Sequence, residues 1–237
     1  MTSLRRLADN KDATSLATRL RKRRFALFLQ LLGRLPGRLR LLDVGGTPQF
    51  WDMMDLQQAG TVDLTLLNVE PVDTEGRALR CVIGDGRRMS QFADGEFDVV
   101  FSNSVIEHVG TLKDQADMAA EIARVGRSYF VQTPNRYFPI EPHFLLPGFQ
   151  FLPIGLRVWI LRRFNLPGYR RIPDRARARH EVTAIRLMTR SELSRLFPGS
   201  SLYVERFAGF AKSFVAYRGF ERRDDAQARR GAARNLV

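Results

Sequence analysis

One cysteine, Cys81, stands among 237 residues, so no disulfide can form within the chain. That fits a reducing compartment. Long apolar runs are missing too. The longest uncharged apolar stretch near the middle, residues 144–156, falls short of the roughly 18 residues that span a bilayer. It is also broken by Pro147, Gly148, Pro153 and Gly155. The first residues are basic and lack the apolar core of a secretory signal. These absences make a cytoplasmic protein the expectation. Core-forming material is present in ordinary amount: 44% of residues are hydrophobic, enough for one sizeable α/β domain with additions.

Acidic side chains are scarce in two places and concentrated in a third. Residues 1–24 hold 8 basic and 2 acidic side chains, and residues 157–190 hold 10 arginines against Asp174 and Glu181. Residues 43–107 reverse this, with 12 acidic and 4 basic groups, inside a chain of formal net charge +13. Basic flanks favour an anionic partner: nucleic acid, a phospholipid surface touched peripherally, or a phosphorylated substrate. The plain alternative is a solvated, arginine-biased surface.

Hydrophobic periodicity orders the elements. Residues 1–34 read as helical, with Leu16, Leu20, Phe25, Phe28, Leu31 and Leu32 at helical spacing among arginines, closed by Pro36-Gly37. Leu39 to Val44 is a short buried strand, and Pro48 opens a helix over 48–58. Strands follow at 62–69, 79–83, 97–102 and 128–132, with an amphipathic helix at 112–125. Residues 133–153, rich in proline and aromatics, read as an ordered loop, and 154–164 as a short helix. Thr189-Arg190-Ser191-Glu192 is a capping box. Strands at 201–207 and 213–217 pair as a hairpin across Ala208-Gly209-Phe210. Strand–helix alternation predicts a parallel sheet with helices on both faces, its ligand edge at the strands' C-terminal ends.

That edge carries the chemistry. Asp43-Val44-Gly45-Gly46 ends the first strand, where glycines let backbone approach a ligand. Glu70 ends the second, where a carboxylate can accept two ribose hydroxyls. Asp85, between Gly84 and Gly86, ends the third and can accept from an adenine amine. Alone, each has a plainer explanation: a tight turn, a solvated acid before Pro71, an Asp-Gly turn. In order, and with Phe97-Asp98-Val99-Val100, they resemble the class I S-adenosylmethionine-dependent methyltransferases. The nearest branch is the one called type 11, which acts on small molecules, quinones and glycans. The resemblance covers residues 38–135, with a hairpin end at 201–217.

It implies a Rossmann-like, doubly wound, mostly parallel seven-stranded sheet with a C-terminal antiparallel hairpin. It also implies S-adenosylmethionine as cofactor. Asp43, Gly45 and Gly46 would hold its methionine end, Glu70 its ribose, Asp85 its adenine, and Asn103, ending the fourth strand, would add a contact. The organisation expected is a basic helical extension over 1–34, the methyltransferase domain over 35–220, and a charged tail over 221–237. A substrate-covering insertion is expected at about 134–188. One departure stands in the first motif: the family usually has three glycines there, whereas Thr47-Pro48-Gln49 follows here, a shorter and stiffer turn. Gly-x-Gly-x-x-Gly is absent, which disfavours a nicotinamide dehydrogenase.

Methyl transfer from a sulfonium is an in-line displacement whose demands are alignment and water exclusion. A base is needed only when the acceptor loses a proton, and His143 is the candidate. Ser104-Val105-Ile106-Glu107-His108-Val109 resembles the Val-Ile-Glu-His segment of metal-dependent small-RNA ribose methyltransferases. Those enzymes carry a further glutamate where Ser104 stands. Glu107, His108 and His143 are thus the alternative metal ligands, and loop-anchoring hydrogen bonds are the preferred reading of the first two. The expected reaction is O- or C-methylation of a small-molecule, glycan or lipid-linked acceptor. The alternatives are metal-assisted RNA methylation, and a non-catalytic module docking on an anionic membrane or partner through the basic flanks.

Overall fold

The computed structural model describes residues 15–54, 62–77 and 79–221. Its centre is a seven-stranded sheet in the order β3-β2-β1-β4-β5-β9-β8. Strands β1 (Leu39–Val44), β2 (Val62–Asn68), β3 (Leu79–Ile83), β4 (Phe97–Asn103) and β5 (Gly126–Pro134) are parallel. β9 (Phe210–Arg218) runs antiparallel between β5 and β8 (Ser201–Phe207), so the expected hairpin closes the sheet. Its turn is Ala208-Gly209, both with positive φ (48° and 83°), as a two-residue hairpin of matching twist requires. Phe210, expected in the link, is therefore already strand.

Alternation along the strands supplies two apolar faces. One face, with Leu41, Val99, Phe101, Phe130 and Val215, packs on helices α1 (Leu16–Leu32) and α2 (Pro48–Met54). Phe28 of α1 is fully buried, with ring centroids 4.8 Å from Phe101 and 5.2 Å from Phe130. Truncating such a ring costs about 3–5 kcal/mol. The segment expected as an N-terminal extension is thus, over α1, built into the sheet's own core. The other face, with Leu42, Val44, Val100, Val131 and Phe214, packs on α3 (Leu112–Val125) and the helix at Arg190–Leu196. Both helices open on reciprocal capping boxes, Thr111/Asp114 and Thr189/Glu192.

Between β5 and that last helix the chain builds a third apolar cluster from Phe144, Phe149, Val158, Leu161, Ile172, Ala178 and Val182. It comprises the short pair β6 (Ile140–Glu141) and β7 (Leu146–Pro147), helix α4 (Ile154–Arg163) and helix α5 (Arg175–Thr183). The helix Arg190–Leu196 is therefore α6. No apolar stripe announces α5: only Ala178 and Val182 are buried, and Asp174 caps its start by accepting from Arg177 N–H. Expectations for residues 1–14, for the end of the helix at 55–58 and for the tail at 222–237 lie outside the described residues. Among the described residues no helix is long and apolar enough to cross a membrane.

Candidate functional site

The polar groups read from the sequence gather at the C-terminal edge of β1–β5. Gly45 has φ +78°, and a Cβ there would lie 2.6 Å from Val105 Cγ2, so the turn seats directly on the loop after β4. A Cβ on Gly46 would lie 1.7 Å from Asp43 Oδ2. The two glycines thus allow the turn to pack closely on Val105 and Asp43. Asp43 lies beneath the turn, 1% exposed, and accepts a 2.7 Å hydrogen bond from the Trp51 indole of α2. Burial pushes its carboxyl up to about 7, against the opposing pull of that indole.

Further along the edge, Asn68 Nδ2 donates to Gly46 O at 2.9 Å, tying the β2 end to the turn. Glu70 follows, exposed to solvent. Val69 and Ile83 beside it are 74% and 61% exposed. The pairing of Asn68 with Ile83 makes them neighbours across β2 and β3. A carboxylate able to accept hydrogen bonds and an exposed apolar surface thus stand together at this edge. Asp85 is half-exposed and gripped by Arg87, whose Nη2 donates to Oδ2 at 2.6 Å and whose Nε donates to Oδ1 at 3.0 Å. That hydrogen bonding holds its carboxyl below the usual carboxylate range. Any ligand amine there shares Asp85 with Arg87. Asn103 Oδ1 accepts from Arg24 Nη2 at 3.0 Å. Arg24 is itself in a buried ion pair with Glu205 of β8 at 2.9 Å, so Asn103 belongs to a network joining α1, β4 and the hairpin.

On the other side of the Gly45 turn, Val105 leads into a single 3-10 turn, Ile106–His108. Ser104, just before it, has φ +58°, uncommon for a residue with a side chain, and its hydroxyl donates to Gln132 Oε1 at 2.7 Å. The turn buries Glu107 completely and aims His108 at the segment after β5. Thr133 donates to Glu107 Oε2 at 3.0 Å, while Glu107 Oε1 is buried with no hydrogen-bond partner. His108 Nε2 stands 3.2 Å from His143 Nε2. His143 Nδ1 stands 2.8 Å from Glu141 Oε1, and Glu141 Oε2 accepts the backbone N–H groups of His143 (2.7 Å) and Phe144 (2.6 Å).

Environment separates these groups. Burial raises Glu107 to about 7, and burial, then His143, lowers His108 to about 4. Burial would lower His143 as well, but the hydrogen bond and charge of Glu141 outweigh it and hold the imidazole above its ordinary value. The ligand atoms of Glu107, His108 and His143 all lie within 4.8 Å of one another, close enough to share one metal ion. The structure thus brings together three residues from positions 107 to 143. Sequence reasoning missed Glu141 as their orienting partner and Trp51 as the partner of Asp43. The Glu-x-His spacing was the available signal for the first. Nothing in the sequence pointed to the second.

Residues 46–129 match the family model described as the methyltransferase domain. Residues 46–129 thus carry a methyltransferase domain, set within a seven-stranded sheet closed by a hairpin. It is 28% identical over 136 residues to uncharacterized proteins of two Mycobacterium tuberculosis strains, covering 54% of this chain and 46% of theirs. The chain spans about half the length of the curated relatives it matches. Among solved structures it is similar to a Burkholderia thailandensis 1,6-didemethyltoxoflavin-N1-methyltransferase with bound S-adenosylhomocysteine, at 14% identity, 82% and 75% coverage and a TM-score of 0.48. A Methanosarcina mazei S-adenosylmethionine-dependent methyltransferase is similar at 15% identity, 79% and 95% coverage and a TM-score of 0.45.

Proposed function

We propose that the chain transfers a methyl group to a hydroxyl oxygen of a small anionic acceptor held under the 134–188 segment. The observation that carries this reading is the Glu141–His143–His108 chain beside the Gly45 turn. A carboxylate-oriented imidazole there can act on an acceptor that must lose a proton, which a hydroxyl must and a tertiary amine need not. S-adenosylmethionine, when bound, supplies a methyl group on an activated sulfonium. The residues that would hold it are Gly45 and Gly46 through their backbone, Glu70 at the ribose and Asp85 at the adenine, with Val69 and Ile83 as the apolar floor. Asp43 supports the turn from below, and Asn103 fixes the β4 end through Arg24.

Anionic character in the acceptor is supported by a cavity of about 180 Å³ bounded by Arg136, Arg157, Arg186, Gln150 and Glu141. Arg157 Nε is a buried donor there without a partner, and an unpaired buried donor favours a ligand that accepts; Gln150 Oε1 is a buried acceptor without a partner and would take a hydroxyl of the same ligand. A lipid-linked acceptor is supported by the outer face of α4, where Leu156 and Trp159 are 43% and 50% exposed next to Arg162, Arg163 and Phe164.

The test is a screen of hydroxylated carboxylates and phosphates for S-adenosylhomocysteine release, with mass spectrometry of the product. The reading expects a methyl ether, a rate lost in His143→Ala with cofactor affinity kept, and a raised KM in Arg157→Met. Methylation at nitrogen, or an undiminished rate in His143→Ala, overturns it.

A further inference from the structure

We infer that Arg21 and Lys212, mounted on the buried Arg24–Glu205 pair, form a carboxylate-binding site on the α1 side of the ligand edge. The inference rests on the functional reading above for which ligand brings the carboxylate, not for the site itself.

The balance of charge carries it. Glu205 of β8 is buried and fully engaged. Its Oε1 accepts from Arg24 Nη1 at 2.9 Å, and its Oε2 accepts from Lys212 Nζ at 3.1 Å and from Ser213 Oγ at 2.9 Å. Arg21 stands one turn before Arg24 on α1, half-buried, with its guanidinium carbon 6.0 Å from the centre of the Phe50 ring. Among the described residues it has no ion pair or hydrogen bond. Three cations thus share one carboxylate. Glu107 also acts on Arg24, but burial raises it to about 7, so it offers only part of a charge near neutral pH. Burial, then the charge of Arg24, holds the Arg21 guanidinium below its ordinary value. Burial lowers Lys212 as well, and the charges of Arg24 and Arg21 add to it against the pull of Glu205. Cations withdrawn from water in excess of their partners favour an anionic ligand.

The cluster runs along the ligand edge. Phe50, beneath Arg21, lies in the first turn of α2, just past Gly46 and Thr47. Arg24 Nη2 donates to Asn103 at the end of β4. The backbone carbonyl of Lys212 accepts from Asn135 N–H, just past β5. The turn after β1 offers an anion few donors of its own. Pro48, the first residue of α2, has no N–H, and the N–H of Phe50 is taken by Thr47. Charged side chains from α1 and β9 answer that deficit, and a guanidinium grips a carboxylate with two parallel hydrogen bonds. Two ligands of this edge carry such a group: S-adenosylmethionine, at its methionine end, and an anionic acceptor.

The test is calorimetry on the full chain with S-adenosylhomocysteine and 5′-methylthioadenosine, which share the nucleoside while only the first has the carboxylate. Thermal melts with succinate, a plain carboxylate probe, run beside it. If the cofactor fills the site, Arg21→Met and Lys212→Met weaken S-adenosylhomocysteine about tenfold or more and leave 5′-methylthioadenosine unchanged. Bound S-adenosylhomocysteine then abolishes the stabilisation by succinate. If the acceptor fills it, both adenosine ligands keep their affinity in the variants. Succinate then still raises the melting temperature of the S-adenosylhomocysteine complex, by an amount lost in both variants. In either case Arg21→Lys, which keeps the charge, should restore part of the loss, and Arg23→Met, exposed on the same helix, should change nothing. Should Lys212→Met fail to fold, Arg21→Met and Arg21→Lys carry the test. Variants indistinguishable from the wild type in both measurements overturn the inference. Loss of wild-type binding to both adenosine ligands would instead strike the cofactor reading, and the succinate melts alone would then decide for or against the site.

Discussion

Asp43 offers the sharpest stability prediction. Its carboxyl is raised from the ordinary 3.8 to about 7 because it is buried beneath the Gly46 turn. A raised acid costs the folded state stability as the unfolded chain ionises first. The cost is absent below about pH 4, grows between pH 4 and 7, and is complete above the folded value. A displacement of roughly 3 pH units corresponds to about 4 kcal/mol, at about 1.4 kcal/mol per unit. That figure is an upper bound, since local relaxation reduces it. In a chain of this size about 1 kcal/mol moves the melting temperature by roughly 2–4 °C. Asp43→Asn removes the ionisation while its amide oxygen can still accept from Trp51. The assay is urea denaturation of both proteins from pH 4 to pH 8. The wild type should lose stability relative to Asp43→Asn as pH rises across that window, whichever is more stable in absolute value. Parallel pH curves would refute the reasoning. Trp51→Phe, which deletes the indole that stabilises the ionised form, should steepen the wild-type decline.

Gly46→Ala should abolish cofactor binding and destabilise the fold, because its Cβ would sit 1.7 Å from Asp43 Oδ2; calorimetry and a thermal melt read both. Arg24→Met should cost about 3–5 kcal/mol by stranding Glu205 in a buried site. The loss should lie at the lower end, because Lys212 remains 3.1 Å from Glu205. Adding Glu205→Leu should recover part of that loss in urea denaturation. Flotation with phosphatidylglycerol vesicles should retain the wild type at low salt, with binding lost in Leu156→Ser/Trp159→Ser and absent on phosphatidylcholine. Equal flotation of the variant would remove the lipid-linked reading of the acceptor.

The parallel core was legible because its strands are largely buried on both faces, so Leu39 to Val44 and Phe97 to Val100 read as short, mainly apolar runs, interrupted by Arg40, Asp43 and Asp98 and ended by turn residues. Helix α3 was legible because Met118, Ile122 and Val125 keep helical spacing, and the structure adds a capping box of Thr111 and Asp114 at its start. Helix α5 was not, because Arg175 to Thr183 buries only Ala178 and Val182, too few for a periodic signal. β5 extends past Gln132 because β9, distant in sequence, pairs with it as far as Pro134. At the site, the spacing of Asp43, Glu70 and Asp85 located the edge but not their partners. Whether a carboxylate faces solvent, as Glu70 does, or is sealed under a turn by Trp51, as Asp43 is, depends on tertiary packing. The approach of His143 to His108 is likewise set by how the chain returns over β4, which no local pattern encodes.

Isothermal calorimetry of S-adenosylmethionine on the wild type, Glu70→Ala and Asp85→Ala tests the central claim most directly. One cofactor per chain should bind, with affinity lowered at least tenfold by Glu70→Ala. The loss in Asp85→Ala should be smaller, because Arg87 already occupies that carboxylate in the free protein. No binding by folded wild-type protein, or binding untouched by both substitutions, would contradict the placement of the cofactor on this edge of the sheet.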